Sequence, residues 1–289
     1  TALSIELAKE FNCEIISIDS MQIYEHMDIG TAKATPYEQS EVTHHLIDIV
    51  NPNTRFTVSD YQEKAYETIN KIVSKGKTPL FVGGTGLYLD SIIYDFKFAN
   101  IDGSKKLRGE LESIYDKDGG ISLFNELKKV DPITASKLDI GNKKRVIRAL
   151  EIYRITGNSL SDSKNEIILS DKWDPKIFVL TDKREKLYQR INDRVDKMLK
   201  SGLIEENIKL KEMSIPKDSQ SIQAIGYKEV QWYLDGLLTY DEMVNLLKKN
   251  SRNYAKRQLT WYRKYTNIDW IERSKFNNSE EIINYLCIK

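Results

Sequence analysis

Two apolar, β-branched runs constrain this chain most: EIISIDS at residues 14 to 20 and TPLFVGGTG at residues 78 to 86, each stopping abruptly at polar residues or glycines. Runs of that length and type read as buried strands. Helical patterns precede both, ALSIELAKEF ahead of the first and SDYQEKAYETINKIVSKGK ahead of the second, with Gly76 as a stop signal. Helix alternating with strand predicts a parallel α/β sheet. Ligands of such sheets bind beyond the carboxyl ends of the strands, so Asp19 and the loop of Gly83, Gly84, Thr85 and Gly86 are expected to meet at one crevice.

From about Asn100 to Asp171 the chain is charged and helical in pattern, broken by DGS, DGG and GN, and no strand-like run appears until KIFVLTD at residues 176 to 182. This predicts a helical insertion domain over residues 103–171 within a discontinuous core domain of residues 1–102 and 172–289. The remainder is again helical. The 289 residues are 40% hydrophobic, ample for a packed core. Lys and Arg number 44 against 43 Asp and Glu, which excludes a uniformly basic nucleic-acid binder and leaves segregated patches as the route to RNA. Cys13 and Cys287 stand far apart, arguing against a disulfide framework or a structural zinc site. No apolar run of membrane-spanning length and no signal-peptide pattern is visible, so a cytoplasmic protein with no membrane partner is expected.

Several residues carry candidate chemistry. Asp19, at a strand end, is a structural cap, a proton acceptor or the holder of a metal-bound water. The glycines of the GGTG run serve either the turn or the close approach of a ligand. His44 and His45 point to opposite faces of a strand, a poor metal site, and are read as structural. Arg190 and Arg194 stand at i and i+4 on one helix face; they form either a solvated charged face or a pair of guanidinium groups for a diphosphate. Between Glu242 and Asp269 no acid occurs, while Lys248, Lys249, Arg252, Lys256, Arg257, Arg263 and Lys264 alternate with Tyr254, Trp261, Tyr262 and Tyr265. Phosphate neutralisation combined with stacking surfaces is an RNA-binding composition. A second basic run, KKRVIR, spans residues 143 to 148. Thr1 opens a helix with no strand before it. It reads either as an ordinary N-cap or as the residue left when a GxxxxGK[ST] loop is cut after its Lys.

Seven segments in order, DSMQIY (19 to 24), DIGTAK (28 to 33), HHLID (44 to 48), VGGTGLYL (82 to 89), RVIRALEIYRITG (145 to 157), QAIGYKE (223 to 229) and YAKRQLTWYR (254 to 263), cover nearly the whole chain. Together they resemble the tRNA dimethylallyltransferase family, also called tRNA isopentenyltransferases. The resemblance implies a P-loop NTPase-like parallel sheet flanked by helices. It also implies a reaction in which N6 of the adenosine 3′ of the anticodon attacks C1 of dimethylallyl diphosphate, with Mg²⁺ as cofactor. Carried over, Asp19 is the general base, while Ser20, Met21, Gln22 and Thr85 surround the flipped adenosine. Arg194, supported by Arg190, stabilises the departing diphosphate. Arg108, Lys144, Arg145, Arg148, Gln223, Gly226, Tyr227, Lys228, Lys256, Arg257, Gln258, Trp261 and Arg263 match positions that grip the anticodon stem-loop, and the enzyme is expected to act as a monomer. Family members begin with a P-loop ending in Gly-Lys-Thr, whose Thr would bind diphosphate and Mg²⁺. This chain begins at what would be that Thr, Thr1, and is therefore expected to be inactive or nearly so. The competing readings are a P-loop small-molecule kinase, an adenylate isopentenyltransferase and a non-catalytic RNA-binding protein.

Overall fold

The computed structural model describes residues 2–94, 104–162, 172 and 174–287. The chain forms two compact units, Thr1–Ile93 with Asp171–Lys289 and Tyr94–Ser170. The boundary expected at 102/103 lies outside the described residues.

The first unit opens with α1 (Ala2–Glu10) and β1 (Cys13–Ile18), followed by α2 (Pro36–Glu41), β2 (His44–His45), α3 (Val58–Ser74), β3 (Thr78–Gly83) and α4 (Gly86–Ile93). Every residue of β1 is buried, as expected for the middle strand of a parallel sheet covered on both faces. The order is β2-β1-β3, with both pairings parallel. Thr35 with Glu38 and Thr57 with Asp60 form capping boxes that start α2 and α3. Along α3, Tyr61, Ala65, Ile69 and Ile72 are buried at helical spacing. Tyr61 stacks on Tyr88 of α4 with ring centroids 3.8 Å apart and donates a 3.0 Å hydrogen bond to the Ser17 carbonyl. On the α1 side, Ile5 and Ala8 pack with Cys13, Ile15 and Val42.

The second unit contains α5 (Ser104–Asp118), α6 (Ile121–Val130), α7 (Pro132–Ala135) and α8 (Lys143–Thr156). Their apolar faces enclose Leu111, Leu123, Leu127, Val146 and Leu150. Gly157, with φ 74°, ends α8, a conformation that costs other residues a Cβ clash. Asp131 caps α7 through the Thr134 N–H and also accepts from the Ser161 N–H.

The chain then returns through β4 (Phe178–Thr181), α9 (Arg184–Lys200), α10 (Leu203–Glu212), α11 (Lys228–Leu234), α12 (Tyr240–Tyr262), β5 (Asp269–Glu272) and α13 (Ser279–Cys287). The KIFVLTD run does form a strand. It pairs in parallel with β5, a strand not expected from the sequence, in a two-stranded sheet separate from β2-β1-β3 among the described residues. Val195, Leu203, Val230, Met243 and Leu247 knit α9 to α12 into one core. Among the described residues no helix is long and apolar enough to cross a membrane.

Both histidines of β2 have structural partners: His44 Nδ1 lies 2.7 Å from the Val42 carbonyl and His45 Nε2 lies 2.7 Å from Glu14 Oε2. Burial raises the pKa of Glu14, but His45, Lys77 and Lys75 outweigh it and hold the carboxyl at about 2. A depressed folded pKa contributes stability above the unfolded value and loses it as pH falls towards the folded one. Glu14→Gln should therefore cost roughly 1–3 kcal/mol at pH 7, a difference that shrinks between the ordinary carboxylate range and about pH 2. Urea unfolding of both proteins across this range checks it; a pH-independent difference contradicts the assignment.

Candidate active site

The site is built where β1 and β3 end together. The Ile18 carbonyl, the last of β1, accepts hydrogen bonds from Gly84 N at 3.1 Å and Thr85 N at 2.9 Å. Gly83 has φ 153°, and a Cβ there would stand 2.6 Å from the Ile18 carbonyl carbon, so only glycine permits this approach. The next residue of the first strand is Asp19. Its Oδ1 accepts from Met21 N at 2.8 Å and Gln22 N at 3.4 Å, while Oδ2 accepts no hydrogen bond among the described residues. Thr85 is fixed opposite, with its Oγ1 accepting from Ser20 N at 3.0 Å.

Burial raises the pKa of Asp19; the Met21 and Gln22 N–H bonds and the charge of Arg194 oppose it without cancelling it. Arg194 stands on α9, an exposed residue whose charged end is nonetheless crowded by protein atoms. That desolvation lowers its pKa against the attraction of Asp19. The two groups feel each other's charge, but no ion pair or hydrogen bond joins them among the described residues. Arg194 also borders a cavity of about 430 Å³ lined further by Asp28, Lys33, Asp48 and Lys197.

The third wall is α12. Tyr254, Gln258 and Trp261 recur at i, i+4 and i+7 and so lie on one helix face. Gln258 Nε2 donates to the Gly84 carbonyl at 3.0 Å. The Trp261 ring occupies the space beside Gly86, where a Cβ would stand 2.2 Å from it. Tyr254 engages Thr85 and Gln258 through its hydroxyl, and its pKa is raised by burial and by the charge of Asp19. Tyr254 was absent from the expected site residues; its spacing from Gln258 was the signal, hidden in a segment read for composition.

Other expected residues are placed differently. The Gln22 amide faces inward: Oε1 accepts from Ser17 Oγ at 2.9 Å and Nε2 donates to the Thr31 carbonyl at 3.2 Å. It braces the loop. Tyr227 is fully buried, its hydroxyl donating to Glu206 Oε1 at 2.6 Å, and Gly226 is buried beside it. A direct tRNA contact by either side of that pair is corrected to a supporting role. Glu206 in turn accepts from Asp28 N, Ile29 N and Gly30 N at 2.9, 2.7 and 3.1 Å, fixing the DIGTAK loop. Arg190 does not face Asp19 in partnership with Arg194: its Nη1 pairs with Asp182 Oδ2 at 2.8 Å. In the second unit Arg108 and Arg148 both pair with the buried Glu151, at 2.5 and 2.7 Å, while Lys144 and Arg145 are exposed. Gln223, Lys256, Arg257 and Arg263 are exposed, and Lys228 lies over the Trp232 ring. Thr1 lies outside the described residues.

A strand-end carboxylate, a nearby guanidinium and a glycine-threonine loop, on a parallel sheet flanked by helices, define a group-transfer enzyme of P-loop NTPase-like fold. The IPP transferase family matches residues 22–265. The chain is 46% identical over its whole length to a tRNA dimethylallyltransferase of Clostridioides difficile, covering 92% of that protein. Among solved structures it is similar to the full-length tRNA isopentenylpyrophosphate transferase of Bacillus halodurans, with 44% identity, a TM-score of 0.70 and coverage of 99% and 90% of the two chains. It is also similar to a eukaryotic dimethylallyltransferase captured acting on tRNA, with 29% identity, a TM-score of 0.83 and coverage of 100% and 76%. The chain belongs to the tRNA dimethylallyltransferase family of prenyltransferases. The expectation that a missing P-loop leaves it inactive is not borne out by these comparisons.

Gly86→Ala should push the Trp261 ring off the loop and destabilise the fold by about 1–3 kcal/mol. Denaturant titration with tryptophan fluorescence reads both effects; an unchanged midpoint would show that the ring is not packed there.

Proposed function

We propose that this chain transfers the dimethylallyl group of dimethylallyl diphosphate to N6 of the adenosine 3′ of the anticodon in tRNA. The observation that carries this reading is the Asp19 carboxylate, one oxygen pinned by backbone N–H groups and the other without a hydrogen-bond partner among the described residues, near Thr85 and within the field of Arg194. N6 attacks C1, the C1–O bond breaks, diphosphate leaves with its electron pair, and Asp19 Oδ2 takes the N6 proton. Burial makes Asp19 a stronger base than a free carboxylate, which suits proton transfer near neutral pH. Arg194 faces the charge that grows on the leaving diphosphate. The adenosine must leave its stack to reach this crevice, with Ser20, Met21 and Thr85 around it.

When bound with the diphosphate, Mg²⁺ would supply neutralisation of part of its charge. The ion takes one or two protein oxygens beside phosphate and water, so a site without a three-ligand acidic cluster among the described residues still fits it. Thr1 is the hydroxyl we assign to it. The anticodon stem-loop would be held in the second unit by Arg108, Lys144, Arg145 and Arg148. In the first unit its contacts would be Gln223, Lys228, Lys256, Arg257, Trp261 and Arg263. The enzyme acts as a monomer in the cytoplasm, where its tRNA substrate is found.

Incubation with labelled dimethylallyl diphosphate and either tRNA, AMP or ATP should place the label in tRNA; label in AMP or ATP alone overturns the reading. Asp19→Asn keeps the acceptor for Met21 N and should lower turnover about 10²–10⁴-fold with tRNA affinity retained. The sign for stability is opposite. A raised folded pKa means that ionising Asp19 at neutral pH costs stability, so the variant should gain about 0.5–2 kcal/mol at pH 7 and nothing well below the carboxylate range. Wild-type turnover in this variant removes Asp19 from the mechanism. Replacing Lys256 and Arg257 with Ala should weaken tRNA binding and flatten the logarithmic salt slope by about 1–2; an unchanged slope means that neither meets a phosphate.

A further inference from the structure

We infer that Tyr254 is a positioning residue for the transfer reaction: its hydroxyl fills one acceptor position of Thr85 and so turns the Thr85 proton into the crevice, towards a ring nitrogen of the acceptor adenine. The inference rests on the proposed function and adds to it a determinant of acceptor recognition.

The contacts of α12 bracket Thr85. Gln258 donates to the Gly84 carbonyl at 3.0 Å on one side, and the Trp261 ring fills the space beside Gly86 on the other. Tyr254 stands one turn before Gln258 on the same helix face and brings its hydroxyl to Thr85 and Gln258. Its ring is held as well. The Arg257 guanidinium lies over it, 5.6 Å from the centroid, in a cation–π contact.

A threonine hydroxyl has one proton and two acceptor positions, and a tyrosine hydroxyl has one proton. Thr85 Oγ1 uses one acceptor position on Ser20 N at 3.0 Å. At Gln258 the amide nitrogen is the end turned to the glycine loop, since a Cβ on Gly84 would stand 1.8 Å from Nε2 but 3.5 Å from Oε1. An N–H of this amide supplies the Tyr254 oxygen, and the Tyr254 proton goes to Thr85. Both acceptor positions of Thr85 are then taken. Among the described residues its own proton has only Ser20 Oγ within reach, at 3.4 Å, too long for a good O–H···O bond. An acceptor on a ligand in the crevice completes it.

Adenine carries that acceptor beside its amine. N6 donates to the Asp19 carboxylate, which only accepts when ionised, and the ring nitrogens N1 and N7 flank N6 with their lone pairs. A Thr85 proton aimed at one of them holds the base at two points, so that N6 cannot swing away from Asp19. Without the Tyr254 hydroxyl the Thr85 proton is free to rotate, and the second point is lost.

Stem-loops carrying adenosine, 1-deazaadenosine or 7-deazaadenosine at the acceptor position test this with Tyr254→Phe, which keeps the ring under Arg257. With the unaltered protein one deaza substitution should lower kcat/KM about three- to tenfold, as the loss of one hydrogen bond does; the sensitive substitution identifies the nitrogen. In Tyr254→Phe, transfer to adenosine itself should fall by about the same factor, and the deaza penalty should shrink below about twofold. Comparing the two penalties cancels the change in ring basicity. Anisotropy of the same stem-loops without donor should show the same pattern in Kd. A thermal melt checks that the variant folds; should it not, Gln258→Met, which removes the donor to the Tyr254 oxygen, carries the comparison. Equal values for all three stem-loops with the unaltered protein, or an undiminished deaza penalty in the variant, overturns the role of Tyr254. Absence of prenyl transfer to every stem-loop sinks the proposed reaction, and the binding comparison then decides this inference by itself.

Discussion

Much of this molecule hangs on one carbonyl. The Ile18 oxygen closes β1 by accepting two N–H groups from the turn after β3, and it can do so only because Gly83 carries no Cβ. That contact sets the distance between Asp19 and Thr85, since each is the next or second residue beyond the shared end. A parallel pair has no hairpin to fix its register. Here the register from Cys13↔Thr78 to Ile18↔Gly83 is locked at its functional end by the same residues that form the crevice. Slippage by one residue would turn every β1 side chain to the opposite face and carry Asp19 out of the site.

The loop after Asp19 is long and would be expensive to order by apolar packing alone. It is held instead by buried polar groups. Glu206 gathers three successive N–H groups and the Tyr227 hydroxyl, and Lys33 threads its ammonium between the Tyr24 carbonyl and the carboxylates of Asp28 and Asp48. Removing one member of such a network strands the rest in a low dielectric. Gly30 belongs to it for a steric reason, because a Cβ there would meet the Tyr227 ring at 2.6 Å. Segments far apart in sequence, DIGTAK and QAIGYKE, are therefore one structural unit.

The sequence made the strongest elements legible. β1, β3 and the helices before them announce themselves by apolar, β-branched runs and by helical periodicity. What escaped did so for identifiable reasons. β5, with the residues DWIE, is four residues long and half acidic, and its strand character comes from pairing with β4, which no local pattern reveals. Tyr227 and Gly226 sit in a segment whose likeness to tRNA-binding proteins carried no information about burial. In α12 the charges drew attention to Lys256 and Arg257, which point outward, while the helical spacing of Tyr254, Gln258 and Trp261 was the clue to the face that meets the glycine loop.

That division of α12 bears on how acceptor and catalyst are coordinated. The inward face touches Gly84, Thr85 and Gly86, and the outward face carries the exposed cations, so under the proposed function a tRNA held by those cations is one helix diameter from the threonine fixed against Ser20. Asp90 adds a second anchor by accepting from Lys264 and Tyr265 just past the helix end. The electrostatics require such anchoring. If Arg194 closed onto Asp19 as an ion pair, the carboxyl would drop back to an ordinary or lower pKa and lose the basicity that its burial confers. Held apart, Asp19 keeps the raised pKa of a buried carboxyl while still feeling the charge of Arg194, and the proposed reaction uses the first as proton acceptor and the second as anion stabiliser. Under the proposed reaction those are the two places where charge changes as N6 bonds to carbon and diphosphate departs.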